Sequence, residues 1–172
     1  MPPVSAALPF DCTGIDLLGP IHVCSATGAT KRWIALFTCL VTLVVHLEIA
    51  KDLPTLSLVD CLRRFITRRG LGGEIISYNG TNMAPAAKSF KNLSDAHSVQ
   101  WISITALASW KGGAYERFVG LTKNVSSSVR RTPFVLRRIT SNTCAEVETV
   151  LIERKIKHVE SDDIQVIRPI GY

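Results

Sequence analysis

The pattern of apolar and polar positions predicts three strands first and then strands that alternate with helices. Residues 10–18 mix apolar and small side chains and stop at Gly19-Pro20, which predicts a strand followed by a turn. After a predicted loop over residues 22–31, the segments 32–40 and 44–49 are almost wholly apolar. Because such runs are typical of strands covered on both faces, we expect these two to form a buried hairpin.

Helical spacing replaces the strand pattern in the next segment. Leu58, Leu62 and Phe65 recur at helical intervals before Gly70, which predicts a helix over residues 55–69. The elements predicted after it are a strand over residues 73–77, a helix over 83–93, a strand over 99–104, a long helix over 114–130 and a basic irregular segment over 131–140.

The last predicted helix covers residues 143–155. Thr143 and Glu146 have the spacing of an N-terminal capping box. The apolar face expected to pack consists of Val147, Val150 and Leu151. Three strands followed by two that alternate with helices predict an α/β domain, with a mixed five-stranded sheet and helices on both sides.

Composition narrows the class of protein without deciding the function. With 172 residues, 47% of them apolar and 20% charged, the chain has the profile of one folded domain and not of a disordered segment. The excess of 20 Lys and Arg over 14 Asp and Glu gives a net charge of +6. That charge suits a polyanionic partner such as nucleic acid, although many unrelated proteins share it.

Cysteine usage and the apolar runs bear on the compartment. The five cysteines are scattered without a CxxC pair or zinc-ligand spacing, which favours reduced, mostly buried thiols inside a cell. Residues 1–9 lack the features of a signal peptide and are interpreted as a short leader or linker. The run over residues 33–50 is too short to span a bilayer, and His46 and Glu48 interrupt it. We therefore expect strands there, no membrane partner, and a packed core role for His46.

Two acidic residues are candidates for phosphodiester chemistry. Such chemistry commonly uses two divalent ions held by Asp and Glu at the ends of different elements. Asp16 lies within an otherwise apolar strand, where a charge is costly unless it is paired or bound to metal. Glu116 follows a Gly112-Gly113 joint and opens a predicted helix. The alternatives are a strand-end aspartate that faces water or a turn, and a glutamate favoured by the helix dipole.

Tyr78 lies at a third position of interest, where a predicted strand runs into Asn79-Gly80. In most proteins such a sequence is simply a turn. A phenol, with a pKa of about 10, stays protonated at neutral pH and is a poor magnesium ligand. Glu74 shares the strand parity of Tyr78, but it lies near the other end of the strand and is a poor substitute.

Basic residues surround these candidates in the sequence. Lys123 lies two helical turns after Glu116, so that it, Lys111 and Arg117 form a candidate phosphate-binding set. Two further clusters consist of arginines and are interpreted either as nucleic-acid contacts or as solvated helix ends. The first cluster is Arg63, Arg64, Arg68 and Arg69, and the second is Arg130, Arg131, Arg137 and Arg138.

These segments, in this order, resemble the integrase catalytic core of long-terminal-repeat retrotransposons, in particular the Pao/BEL branch. The similar motifs are FDCTGIDLLGP at residues 10–20, KRWIALFTCL at 31–40, VHLE at 45–48, LRRFITRRG at 62–70, SYNGTN at 77–82, WKGGAYERFVG at 110–120, SDD at 161–163 and IRPI at 167–170. They span nearly the whole chain. Tyr78 departs from the family, which has a metal-binding aspartate there, and so do Ala106 and Ser109, which replace prolines.

The resemblance implies a ribonuclease-H-like fold and a DNA strand-transfer site that uses Mg²⁺ or Mn²⁺. The metal-binding and catalytic positions would be Asp16, position 78 and Glu116, and the DNA-binding residues Asn79, Lys111, Arg117 and Lys123. It also implies a leader over residues 1–9, a core over 10–131 and a basic linker with a helical extension over 132–172.

With Tyr78 in place of the aspartate, we expect the fold to persist and strand transfer to be lost or reduced. One alternative is an active nuclease or transferase with a non-standard third ligand. Another is a non-catalytic DNA-binding protein, or one that pairs with active integrases. DNA, a homodimer or other integrase chains are the expected partners, and the expected location is intracellular, in the nucleus.

Overall fold

The structure is a computed structural model that describes residues 8–25, 28–51, 55–70, 72–78, 83–94, 99–104, 141–153, 156–160 and 163–167. Its elements are the strands β1 (Cys12–Ser25), β2 (Gly28–Cys39), β3 (Val45–Ala50), β4 (Glu74–Tyr78), β5 (Gln100–Ile104), β6 (Ile156–Glu160) and β7 (Asp163–Ile167), with the helices α1 (Thr55–Arg69), α2 (Met83–Ser94) and α3 (Ser141–Glu153).

Five strands form one mixed sheet in the order β3-β2-β1-β4-β5. Strand β2 is antiparallel to both of its neighbours, β1 and β3, whereas β4 and β5 run parallel to β1. The crossovers between parallel strands contain α1 and α2, as parallel pairing requires. The predicted α/β class and mixed five-stranded sheet are confirmed. The separate β6–β7 hairpin was not predicted.

The hairpin of β1 and β2 is longer than the sequence predicted. A turn at Gly19-Pro20 and a loop over residues 22–31 are wrong, because β1 continues to Ser25 and β2 starts at Gly28. The pairing register shifts between Leu18 and Ile21, so the Gly-Pro signal marks an irregularity inside a strand, where a proline is tolerated. A Cβ on Gly19 would lie 2.5 Å from Cδ1 of Trp33, so only glycine fits under that ring.

One face of the sheet packs against α1 and α2 around three phenylalanines. Phe65 of α1 stacks on Phe37 of β2 with ring centroids 4.3 Å apart, and Phe10 meets it edge-on at 5.2 Å. Leu58 and Leu62 are buried beside Phe65, which confirms the predicted apolar face of α1. Successive residues of β2 point to opposite sides of the sheet. Because most of them are apolar, β2 also contributes to a second apolar face on the other side.

Helix α3 covers that second face. Its Val147 and Leu151 are buried in a cluster with Leu36 of β2 and Leu47 of β3. Val150 is 63% exposed, so its predicted place on the packed face is wrong. Three residues advance a helix by about 300°, less than one full turn, so the side chain of Val150 does not point in the same direction as that of Val147. The predicted capping box is also wrong, because the helix starts at Ser141 and Thr143 is its third residue.

The predicted strands over residues 33–50 are confirmed as β2 and β3. Among the residues that the structure describes, no helix is long and apolar enough to cross a membrane. The helix predicted over residues 114–130 and the basic segment over 131–140 lie outside the described residues, and the predicted domain boundaries stay a prediction.

Candidate active site

Asp16 lies inside β1, at the point where the parallel part of the sheet ends. The register of β1 with β4 runs from Cys12–Glu74 to Ile15–Ser77, and β1 then continues paired with β2. The half-buried Asp16 pairs with Leu36 across to β2, and its Oδ1 accepts a hydrogen bond of 2.9 Å from the N–H of Leu17. A strand-end position, the alternative for this aspartate, is wrong because β1 extends nine residues further, to Ser25.

Position 78 lies beside Asp16 on the neighbouring strand. Both residues come directly after the Ile15–Ser77 register pair, and Tyr78 is the last residue of β4. The backbones of neighbouring strands are about 4.8 Å apart. The structure therefore brings together two of the three positions that the resemblance implies for metal binding. The carboxyl ends of parallel strands are also where α/β sheets commonly place ligands.

Glu74 is excluded as a substitute ligand by its place in the sheet. It pairs with Cys12 at the opposite end of β4, and its Oε2 lies 3.8 Å from the Cys12 sulfur. Cys12 and Asp16 are four residues apart on one strand, which corresponds to roughly 13 Å. Two carboxylates at that separation do not share a metal ion.

The remaining predicted site residues are not positioned. Glu116 and the predicted DNA-binding residues lie outside the described part of the chain; the latter are Asn79, Lys111, Arg117 and Lys123. Among the residues that are described, no group of three His, Cys, Asp or Glu side chains is arranged to hold a metal ion. Because a phenol is a poor ligand for hard cations, Asp16 and Tyr78 do not fit a shared magnesium site.

A second polar cluster, which the sequence did not predict, lies at the β3 edge of the sheet. Glu48 of β3 is buried and accepts hydrogen bonds from Arg64 Nε at 2.6 Å and from an Arg68 guanidinium nitrogen at 3.0 Å. Arg69 contacts Glu148 of α3 at 3.5 Å. These residues border an open cavity of about 610 Å³. Three of the four arginines in this predicted basic patch are therefore paired with carboxylates of the same protein. The feature of the sequence that could have indicated this cluster is Glu48, a charged residue within an apolar run.

Comparison with known proteins supports the fold. No protein-family model and no curated protein sequence matches the chain. Among solved structures, a chain of the simian T-cell lymphotropic virus intasome, solved with the PP2A regulatory subunit B56 gamma, is similar at a TM-score of 0.59 and 14% identity. That match covers 97% of this chain, which spans only 61% of the length of the simian virus chain.

Two isolated cores match over most of their length. The HTLV-2 integrase catalytic core domain, in complex with magnesium, has a TM-score of 0.55 and 14% identity, with 87% of this chain and 91% of that chain covered. The catalytic core of BIV integrase has a TM-score of 0.55 and 12% identity, with 83% and 82% covered. The chain thus has the ribonuclease-H-like fold of retroviral integrase cores, as the sequence predicted.

Proposed function

We propose that this chain is the catalytic-core domain of a Pao/BEL-type retrotransposon integrase that binds DNA and has lost most or all of its strand-transfer activity. The observation that carries the proposal is the position of Tyr78 beside Asp16 at the carboxyl end of the parallel strands. The fold and the order of the motifs support the proposed family, and the residue type at position 78 supports the proposed loss of activity.

The defect follows from the chemistry of the ligands. A site for Mg²⁺ or Mn²⁺ needs hard anionic oxygens, and Asp16 and Glu116 would supply two carboxylates. A protonated phenol at position 78 adds no negative charge between them. Such a site binds divalent ions weakly, and the DNA phosphates lose the charge neutralisation that phosphodiester chemistry requires.

DNA, a second copy of the chain or other integrase chains, and a nuclear location belong to the same proposal. The net charge of +6 supports a polyanionic partner. The HTLV-2 core has been solved in dimeric and in trimeric forms, which makes self-association a reasonable expectation for a chain of the same fold. The predicted phosphate contacts, from Lys111, Arg117, Lys123 and Asn79, would lie beside the carboxylates.

The decisive experiment restores the carboxylate and measures metal binding by calorimetry. Tyr78→Asp is compared with the natural chain and with Tyr78→Asn, which matches the size of aspartate without its charge. We expect Mg²⁺ and Mn²⁺ to bind only the Asp variant, and Asp16→Asn in that variant to abolish the binding. Binding of Mg²⁺ by the natural chain with an affinity equal to that of the Asp variant would overturn the proposed defect.

The same four proteins, together with Asp16→Asn in the natural chain, are then assayed for nicking of supercoiled plasmid and for joining of duplex oligonucleotides. Activity confined to Tyr78→Asp identifies residue 78 as the lesion in an otherwise competent core. Metal-dependent nicking by the natural chain, abolished by Asp16→Asn, would instead support an active nuclease or transferase with a non-standard third ligand.

A second candidate is a non-catalytic DNA-binding or integrase-partner protein. The positive net charge favours DNA binding, and binding to phosphates by charge does not require the metal-binding carboxylates. Fluorescence anisotropy with a labelled duplex, repeated over a range of salt concentrations, tests DNA binding by the natural chain. A steep loss of affinity with salt supports this function. If no DNA binds at low salt, only the role of a protein partner remains, and co-purification with an active integrase tests that role.

A further inference from the structure

His46 lies at the junction of three elements on the β3 edge. Its ring is buried, with 3% exposure, and its Nε2 lies 3.0 Å from Glu48 Oε1 on the same strand. Its Nδ1 lies 3.3 Å from Glu148 Oε1 on α3. The second contact is a close charge contact without full hydrogen-bond geometry. One imidazole therefore touches a carboxylate from the sheet and a carboxylate from the helix that covers the opposite face.

Glu148 also holds the edge strand directly. Its Oε1 accepts a hydrogen bond of 2.6 Å from the backbone N–H of Leu47, a group that β2 does not use. Its Oε2 lies 3.5 Å from Arg69 of α1. A glutamate that satisfies an edge-strand donor and also meets a histidine ties α3 to β3 through one carboxylate.

We propose that His46 is a proton-controlled latch that holds α3 against β3: the protonated ring joins Glu48 and Glu148, and loss of the proton weakens the docking of the helix.

The charges around the ring support this assignment. The carboxylates that face it are Glu48 from β3 and Glu148 from α3. On α1, Arg64 and Arg68 contact Glu48, and Arg69 contacts Glu148, so each guanidinium pairs with a carboxylate oxygen. Two uncharged rings also lie against the imidazole, those of Phe65 of α1 and Phe37 of β2, at centroid distances of 5.6 and 6.0 Å.

The direction of the proton linkage follows from these contacts. Burial disfavours the imidazolium, but the close contacts with the carboxylates of Glu148 and Glu48 outweigh it, so the pKa of His46 is raised above its ordinary value. A raised pKa means that the docked state binds the proton more tightly than a solvated imidazole does. The latch is therefore fully engaged below the ordinary pKa of histidine and is lost as pH rises through the raised pKa.

A lower limit on the pH window comes from Glu48. Burial opposes its ionisation, whereas hydrogen bonds from His46 and Arg64 outweigh burial and lower its pKa. Glu48 therefore keeps its charge down to a pH below the ordinary range of a glutamate. Between these two limits His46 and Glu48 are both charged.

Hydrogen exchange measured by mass spectrometry tests the latch on the full chain. Exchange of α3 and α1 is compared at about pH 6 and about pH 8.5, after correction for the intrinsic chemical rate, because histidine titrates between these values. We expect protection of α3 to fall several-fold at the higher pH while protection of α1 stays constant. Each unit by which the pKa is raised corresponds to about a tenfold change in the docking equilibrium.

Two glutamate variants on α3 make the test specific. Glu148→Gln keeps an oxygen that can accept the Leu47 N–H but removes the charge beside His46, so the pH dependence of α3 protection should disappear. Glu146→Gln changes an exposed residue on the same helix and should leave the pH dependence of α3 protection unchanged. Equal protection of α3 at both pH values, or an unchanged pH dependence in Glu148→Gln, would overturn the proposal.

A titration of the natural chain avoids any dependence on how the variants fold. The imidazole resonances of His46, followed by NMR, should titrate above the ordinary pKa of histidine. A midpoint at or below that ordinary value would show that the docked state does not prefer the protonated ring, which also overturns the latch.

Discussion

The indole N–H of Trp101 on β5 donates a hydrogen bond of 2.8 Å to the hydroxyl of Ser77 on β4, one residue before position 78. Ser77 is fully buried, and the Trp101 ring also packs against Phe90 of α2, with centroids 5.7 Å apart. The edge strand and α2 are thereby joined to the strand end that carries the candidate site. Site residues held by packed strands are positioned more rigidly than residues on loops.

Trp101→Phe should destabilise the protein by about 1–3 kcal/mol, since it leaves the buried Ser77 hydroxyl without its donor. Urea denaturation measures the loss. In a double-mutant cycle, Ser77→Ala in the Trp101→Phe background should cost less than Ser77→Ala alone, because the hydroxyl no longer has a partner to lose. Strict additivity of the two changes would show that the hydrogen bond contributes nothing measurable.

Gly72→Ala should destabilise the protein much more than Gly73→Ala. A Cβ on Gly72 would lie 2.1 Å from the backbone oxygen of Phe10 and 2.3 Å from Cα of Asp11, so backbone would have to move. At Gly73 the nearest atom is an Asp11 carboxylate oxygen at 3.5 Å, an ordinary contact. We expect a loss of about 1–3 kcal/mol for Gly72→Ala, typical of overpacking, measured by thermal and urea denaturation. Similar stability of the two variants would contradict this close approach.

The sequence predicted the fold well wherever periodicity was strong. Helix α1 has the predicted bounds, and β3, β4, β5 and α2 start or end within one residue of prediction. The errors fell where local signals compete with long-range pairing. Gly19-Pro20 looks like a turn in isolation, but β1 pairs with β2 on both sides of it, and the pairing continues from Ile21 to Ser25. Such pairing depends on a partner strand that a local pattern does not contain.

That Asp16 and position 78 belong to one site was predictable only through the resemblance. Asp16 and Tyr78 are 62 positions apart in the chain, and only the parallel register of β1 with β4 makes them neighbours. For the arginines of α1, the sequence predicts the basic residues but not the residues with which they pair. Their spacing predicts a basic patch, but the carboxylates that pair with Arg64, Arg68 and Arg69 come from β3 and α3. A charge count within one helix does not contain that information.

Arg64→Met should cost about 1–3 kcal/mol at neutral pH, because it removes a charged hydrogen-bond donor from the buried Glu48. The matched control is Arg63→Met on the same helix. Arg63 is 59% exposed and its contact with Asp60 is 3.7 Å, so its loss should cost at most about 0.5 kcal/mol. Urea denaturation of the natural chain and both variants measures the difference, and equal losses would contradict a stabilising role for the Arg64–Glu48 pair.

The cost of Arg64→Met should also depend on pH. The pKa of Glu48 is lowered, because the hydrogen bonds from His46 and Arg64 outweigh burial. The stabilisation is therefore complete above the ordinary pKa of glutamate and is lost as pH falls through the lowered pKa. Denaturation repeated at about pH 7 and about pH 3 should show a smaller effect of the substitution in acid. A constant difference would show that Arg64 stabilises by packing and not by charge.

Three of the described thiols, those of Cys12, Cys61 and Cys144, should react slowly while the protein is folded. Burial raises the pKa of Cys61 to about 11 and that of Cys144 to about 12, and burial together with Glu74 raises that of Cys12 to about 11. At about pH 8 the thiolate, which is the reactive form, then makes up about a thousandth or less of each group. Iodoacetamide labelling, located by mass spectrometry, should be at least about a hundredfold slower for these three residues in the native protein than in urea. Rapid native labelling of Cys12, the half-buried one of the three, would show that Glu74 does not suppress its ionisation.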